Sequence, residues 1–448
     1  MSSTNDFLSV PVDSSSSESL EGQNLSLGLV DTAGDAAFDT WLQAEARGFH
    51  GPSMTPEILA EQRGGLAYRR TTGVWDASSA TPDVPVGTVS SWPIPLTVPG
   101  YESVDGWAIS AVTVAPTHRR RGIARALLEA ELRTAKSLGV PLAMLTVSEA
   151  TIYSRYGFSP AALMADWSVD VTKTTWTGPD APGRVQFLSL EQIRELGPKL
   201  KERVRLDIPG EIVHWDHLWE RQIGATDDTK EAGKAKRFIR YDDADGVAQG
   251  FAIYRIVENP VDWAKGTLEL SYLVAATEEA YAALWRFLFE MDLVGTVTAH
   301  LRSVDEPFRW QISDFRAARK TMERDHLWVR ILDVKAALEA RSYASPERMV
   351  LDISDPLGFA AGRFLVEIDD EGAASVSTLS DAEFDAEIAD ETAAVSLSVN
   401  DLGAMYLGGV SAVTLVRAGR VTELTGAAAG IIDGAFLNEV APWLSVWF

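Results

Sequence analysis

Residues 111–126, AVTVAPTHRRRGIARA, leave this chain few ways to fold. The stretch opens as a short apolar strand over residues 111–115, and Pro116 ends it, because proline has no backbone N–H to give to a sheet. Arg119, Arg120 and Arg121 follow, then Gly122; Ala124, Leu128, Leu132 and Ala135 then recur on one helical face. The order is strand, basic turn, helix. A glycine just before a helix lets a bound group come close to the backbone. The free N–H groups of the first turn and the positive end of the helix dipole favour an anion there. Arg119, Arg120, Arg121 and Arg125 add charge at the same spot, which suits a pyrophosphate. No Gly-Lys-Ser/Thr follows, so this is not a nucleotide phosphate loop of the Walker kind, and no three-glycine dinucleotide fingerprint is present.

The rest of the composition narrows the class. A length of 448 residues suggests two to four domains. With 46% hydrophobic and 23% charged residues the chain reads as globular and soluble. No apolar run is long enough for a transmembrane helix, and the start, Met-Ser-Ser-Thr-Asn-Asp, is not that of a signal peptide. There is no cysteine, which excludes disulfides, thiolate zinc sites and a cysteine nucleophile. A cytoplasmic protein without membrane insertion is the expectation. The formal charge of −24 argues against nucleic acid and anionic membranes as partners and suits a cationic substrate. The same charge also serves solubility.

Along the chain, residues 1–26 are rich in Ser, Asn and Asp and read as a flexible arm. Helices are expected over 35–47 and 52–63, and strands over 65–70, 86–93 and 106–115. After the basic loop and its helix comes a strand over 141–147, then a short helix over 150–156 that stops at Gly157. Residues 172–183 form a Thr/Gly/Pro-rich linker. Beyond it, a strand at 268–276 leads into a helix at 277–289, repeating the earlier step and suggesting an internal duplication. Here Glu278 and Glu279 stand where the first copy has arginines, and no glycine opens the backbone. Carboxylates at a helix start satisfy the dipole and repel phosphate. The second copy is expected to bind no cofactor. A third unit begins near Asp333, with strands at 349–353, 363–368 and 393–399 and a helix capped by Asp401. The last residues, APWLSVWF, are apolar to the end and are expected to dock in protein, fixing the terminal carboxylate.

Residues 119–124, RRRGIA, fit the Q/R-x-x-G-x-G/A loop that holds the pyrophosphate of acetyl-coenzyme A in GNAT acetyltransferases. The whole chain after the arm resembles the Eis-type acetyltransferases. That resemblance rests also on Leu96-Thr-Val-Pro-Gly100, Ser148-Glu149, the 152–158 segment IYSRYGF, Leu327-Trp-Val-Arg-Ile331, the 336–341 segment AALEAR and the terminal Phe448. It implies an α/β (α+β) chain of two tandem GNAT-like domains, the second degenerate, and a C-terminal sterol carrier protein-like domain. The corresponding boundaries are 27–172, 184–332 and 333–448. A homohexamer is implied as well.

The resemblance implies acetyl-coenzyme A as co-substrate, with no metal, and amines such as those of aminoglycosides as acceptors. Val112, Thr113 and Val114 would meet the cofactor through their backbone. Arg120, Arg121, Gly122, Ile123, Ala124 and Arg125 would hold the pyrophosphate, and Ser148 and Glu149 would line the groove. Tyr153 matches the general acid, and the main-chain carboxylate of Phe448 the general base. Trp447 and the 47–51 segment RGFHG depart from the pattern and bear on acceptor range. Acetylation of protein lysines stays open, as does a lipid carrier or scaffold with a coenzyme-sensing domain.

Overall fold

A computed structural model describes residues 6–448, which form two compact units. The first unit runs to Ala161 and adds residues 327–439 and Phe448; the second holds residues 162–326 and 440–447. The first begins with α1 (Ser14–Glu21), β1 (Leu25–Leu29), α2 (Asp35–Gly48), α3 (Pro56–Leu66), β2 (Arg70–Asp76) and β3 (Gly87–Val98). β4 (Glu102–Val114), α4 (Ile123–Ser137), β5 (Leu142–Thr146) and α5 (Ala150–Tyr153) follow; β6 (Ser159–Asp170) belongs to the second unit from Ala162 on. Strands β1 to β5 lie side by side in chain order. Leu127, Leu128, Leu132 and Ala135 of α4 are buried against Trp107, Ile109 and Leu145 of this sheet.

Two expectations are corrected here. The arm is not loose from residue 6 onward, and residues 1–5 lie outside the described residues. Asp13 caps α1 by accepting from Ser16 N at 2.8 Å, and Arg133 of α4 donates to Asp13 Oδ2 at 2.7 Å. Leu20, an apolar residue in a polar run, enters the core beside α4. The strand expected at 65–70 is the end of α3, which Thr55 caps and which continues through Gly64 and Gly65; the strand begins at Arg70.

β4 carries the local irregularity that shapes the site. Thr88 of β3 pairs with Thr113 and Ser90 with Ser110, so Val89 alone faces Ala111 and Val112. Ala111 takes a φ of 56°. This is a β-bulge, which bends and twists the strand that carries it. β4 and β5 run parallel and pair from Gly106↔Leu142 to Ala108↔Met144. Past the bulge no pairing joins them among the described residues.

The second unit holds β7 (Arg184–Leu188), α6 (Leu190–Val204), α7 (Asp216–Ile223), α8 (Lys230–Gly233), β8 (Arg237–Asp242) and β9 (Ala248–Val257). It continues with β10 (Gly266–Ala275), α9 (Glu278–Phe289), β11 (Val294–Arg302) and the first part of β12 (Ala318–Ile331). Its sheet order is β6-β11-β10-β9-β8-β7. β10, α9 and β11 repeat β4, α4 and β5. β10 and β11 are parallel and paired through Leu270↔Ala299, and β10 shifts register against β9 between Leu270 and Tyr272. In this copy the Arg302 side chain donates to Leu273 O at 3.2 Å beyond the shift. The guanidinium also lies 4.7 Å from the Trp443 ring. Thr277 caps α9 by accepting from Ala280 N at 3.1 Å, and both Glu278 and Glu279 sit in the first turn.

The terminal segment docks in this unit, as its apolar composition leads one to expect. Trp443 N donates to Pro209 O at 2.9 Å, Ser445 N to Glu211 Oε1 at 3.3 Å, and His326 Nε2 to Val446 O at 2.8 Å.

The last part of β12, Leu327 to Ile331, pairs with β5 and completes the first unit's larger sheet. α10 (Val334–Glu339), β13 (Glu347–Ser354), β14 (Gly362–Ile368), β15 (Ala374–Thr378) and α11 (Asp381–Ala389) come next. β16 (Ala393–Ser398), α12 (Val399–Met405), α13 (Ala412–Arg417), β17 (Thr422–Glu423) and α14 (Ala428–Phe436) close the unit. The smaller sheet has the order β15-β14-β13-β16-β17. The expected cap at Asp401 is corrected by three positions. Ser398 is the cap, and Asp401 returns the bond from the third helical position, a capping box.

Burial pushes the His326 imidazole down to about 4, and its bond to Val446 offsets this only in part. The unfolded chain protonates this group near its ordinary value of about 6.5. Above that pH the folded state keeps its full stability, and it loses it as pH falls from about 6.5 towards 4, because only the unfolded chain takes up the proton. The loss amounts to about 3 kcal/mol. His326→Gln is expected to flatten the fall of Tm between pH 6.5 and 4, measured by calorimetry; an unchanged slope would show that this histidine is not the titrating group.

Candidate active site

The basic loop joins β4 to α4. Gly122 is the residue before the helix, with a φ of 77°, and no side chain caps the first turn. A Cβ there would meet nothing within 4 Å, so it is the left-handed backbone that calls for glycine. Arg119, Arg120 and Arg125 are exposed. Arg125 pairs with Glu129 one turn on, at 2.7 Å.

Arg121, half-buried, has partners that its exposed neighbours lack. Its Nη1 donates to Asp76 Oδ2 at 3.0 Å and its Nη2 to Gln23 O at 2.7 Å. Gln23 returns a bond from Nε2 to Arg121 O at 3.1 Å. His118 Nε2 also lies 3.1 Å from Asp76 Oδ2. The Ser78 hydroxyl and N–H, followed by Arg121 and His118, hold the Asp76 carboxyl well below the usual carboxylate range. Asp76 thus ties the start and the end of the basic turn to the end of β2. Nothing local in the sequence marks it, since Asp76 and Arg121 are 45 positions apart.

β4 leads away from this loop. Val112 and Val114 are half-buried, whereas the Thr113 side chain turns to Thr88, Oγ1 to Oγ1 at 2.7 Å. A Cβ on Gly48 of α2 would meet the Thr113 side chain at 2.4 Å, which brings α2 directly onto β4.

Ser148 and Glu149 follow β5 and are exposed. Tyr153 ends α5 and is buried, 6% exposed, with its ring edge-on to Phe158 at 6.3 Å. Burial raises the Tyr153 phenol above its ordinary value; the Ser148 hydroxyl opposes the shift and the Glu149 charge adds to it. The phenol therefore keeps its proton at neutral pH. At the end of β5, Thr146 Oγ1 donates to Phe448 O at 2.8 Å. The Phe448 ring packs edge-on to Trp92 at 5.7 Å, and the Arg69 guanidinium covers the same indole at 3.8 Å. The chain terminus is thereby fixed two residues before Ser148. Phe448 and Tyr153 thus both lie against or just after the end of β5, and the basic turn follows the end of β4. An extended molecule with a pyrophosphate and a distal reactive group fits this arrangement.

Comparisons with known proteins agree with the geometry. Residues 30–161 and 210–331 match two family models, each described as an acetyltransferase (GNAT) domain, and residues 334–445 match a sterol carrier protein domain. An uncharacterised N-acetyltransferase of Streptomyces avermitilis is 34% identical over 90% of this chain and 94% of its own. The N-acetyltransferase Eis of Mycobacterium bovis is 31% identical over 79% of this chain and 84% of its own. The crystal structure of Eis1 from Mycobacterium abscessus superposes with a TM-score of 0.78 at 26% identity, covering 94% of this chain and all of that one.

Asp76→Asn is expected to weaken coenzyme A binding several-fold by calorimetry. Adding Arg121→Ala should cost little more, because both changes break one tie. Arg120→Ala should add its full effect to either. A fully additive Asp76→Asn/Arg121→Ala pair would mean that Arg121 reaches the phosphates itself.

Proposed function

Because the chain belongs to the Eis-type GNAT N-acetyltransferases, we propose that it moves the acetyl group of acetyl-coenzyme A directly to the amine of a cationic small molecule, aminoglycosides included. One observation carries this reading. β4 and β5 run parallel but stop pairing after Ala108↔Met144, just before the β4 bulge, so that the glycine-led basic turn follows one parted strand and a buried Tyr153 with a raised pKa the other. The bound co-substrate supplies an activated thioester.

The chain's own groups do the rest. The N–H groups at the start of α4, with Arg120 and Arg125, hold the pyrophosphate. The backbone of residues 112–114 aligns the arm that follows, and Ser148 and Glu149 flank it. Tyr153 gives its proton to the departing thiolate, for which a raised pKa keeps it in the right form. The Phe448 carboxylate, with an ordinary pKa of about 3.5, is a weak base. It acts by orienting the amine and by taking its proton through water.

Two features bear on the acceptor. The chain's net charge of −24 favours a cation. A pocket of about 450 Å³ beside α2 is lined by Thr40, Gln43, Arg47 and Ser53 among others, with no carboxylate. That lining favours acceptors with few ammonium groups, and makes a protein or peptide lysine the second reading. Turnover against a panel of aminoglycosides, polyamines, monoamines and lysine peptides separates them. A homohexamer of cytoplasmic location completes the proposal, and sedimentation tests the assembly.

Tyr153→Phe is expected to lower kcat by about 10²–10⁴ with cofactor affinity retained. One added residue after Phe448 turns the carboxylate into an amide and keeps the ring. That variant should fold, bind coenzyme A and lose most of its kcat. Full activity in the extended protein would place the base elsewhere.

A further inference from the structure

The segment that carries Tyr153 is too short to hold its own shape. α5 is a single turn that runs into a tighter turn over Ser154–Tyr156 and stops at Gly157, φ 89°. Three carbonyls of this segment take their hydrogen bonds from residues far along the chain. Asn400, in α12 of the sterol carrier protein-like domain, donates both Nδ2 hydrogens: one to Ser154 O at 2.9 Å, one to Phe158 O at 2.8 Å. Arg330, in β12, donates from Nε to Tyr156 O at 2.7 Å.

Arg330 is itself immobilised. It is fully buried, its Nη2 lies 2.8 Å from both oxygens of Asp355, and its Nη1 donates to Ile331 O. Asp355 belongs to the loop between β13 and β14, and that loop sets its oxygens: Leu357 N donates at 3.1 Å and Ala360 N at 2.9 Å. The fit leaves no slack at Gly157, where a Cβ would sit 2.4 Å from Arg330 Nε. Phe158, held through Asn400, packs on the Tyr153 ring and returns its N–H to Tyr153 O at 3.4 Å.

We propose that Asn400 and Asp355 are positioning residues for the Tyr153 hydroxyl: the C-terminal domain aims the proton donor, through Asn400 directly and through Asp355 by way of Arg330. The inference rests on Tyr153 being the donor. It gives this domain a part in the chemistry separate from the carboxylate at the chain's end. A domain that merely packed against the turn would be expected to use side-chain contacts. Here the bonds go to backbone carbonyls on both sides of Tyr156, which fixes the direction of the turn as well as its place.

Asn400→Ala is the cleaner variant, because it removes two bonds from a half-buried position and leaves no buried charge. It is expected to lower kcat about tenfold, since small misplacements of a catalytic group cost rate steeply. KM for acetyl-coenzyme A should stay within twofold. In a Tyr153→Phe background the same change should alter kcat less than twofold, because no donor remains to be aimed. Asp355→Asn is expected to follow the same pattern; should it fail to fold, Asn400→Ala decides alone. Full kcat in Tyr153→Phe would overturn the donor reading and this inference with it. A crippled Tyr153→Phe beside a fully active Asn400→Ala, or an equal loss from Asn400→Ala in both backgrounds, would overturn the positioning role and leave the donor reading standing.

Discussion

The bulge at Ala111 and Val112 sets the course of β4 through the first unit's larger sheet. One extra residue in β4 lets β3 keep its pairing on one side while β5 loses it on the other. Backbone polar groups in a sheet need partners. A strand that parts from its neighbour is therefore prepared for a ligand that can offer hydrogen bonds along its length. The basic turn is where β4 runs out, and Thr146, Ser148 and Tyr153 are where β5 does.

The second unit shows the same device put to another use. β10 shifts register where β4 bulges, and its pairing with β11 ends in the same way. There the protein supplies the partners itself: Arg302 bonds to Leu273 O and stacks on Trp443. The start of α9 is capped by Thr277 and carries two glutamates, which offset the helix dipole from within the chain. The duplicated half thus holds the chain's terminal segment, and the next residue, Phe448, meets Thr146 in the first unit.

Both loop segments of the site are tied by charged groups from elsewhere in the chain. Asp76 ties down the basic turn, and the Asp355–Arg330 pair holds the turn after Tyr153. Only the Arg330–Asp355 pair is fully buried; a pair of that kind adds little net stability, yet removing one partner costs roughly 3–5 kcal/mol. Such pairs define one arrangement among several that packing alone would tolerate. That suits loops, whose short segments have no regular bonding to fix them.

The sequence by itself determined the elements that rest on local physics. Pro116, Gly122 and the periodicity of α4 set the strand, turn and helix, and Gly157 marked the end of the Tyr153 turn. The glutamates at 278 and 279 marked the second copy as different, and the apolar end announced that it would dock. What the sequence left open depended on partners distant along the chain. The serine-rich start reads as loose until Arg133 and a core for Leu20 are present to hold it. In the sequence Arg121 looks like its neighbours in the turn; its tie to Asp76 shows only in the fold. The bulge has no residue signature at all, because Ala111 adopts its left-handed backbone only under the pairing imposed by β3. Asn400 is an ordinary helical asparagine until the fold sets it over Ser154 and Phe158. Periodicity and caps are written over a few residues; register, ion pairs and aim arise only when segments hundreds of positions apart compete for the same hydrogen bonds.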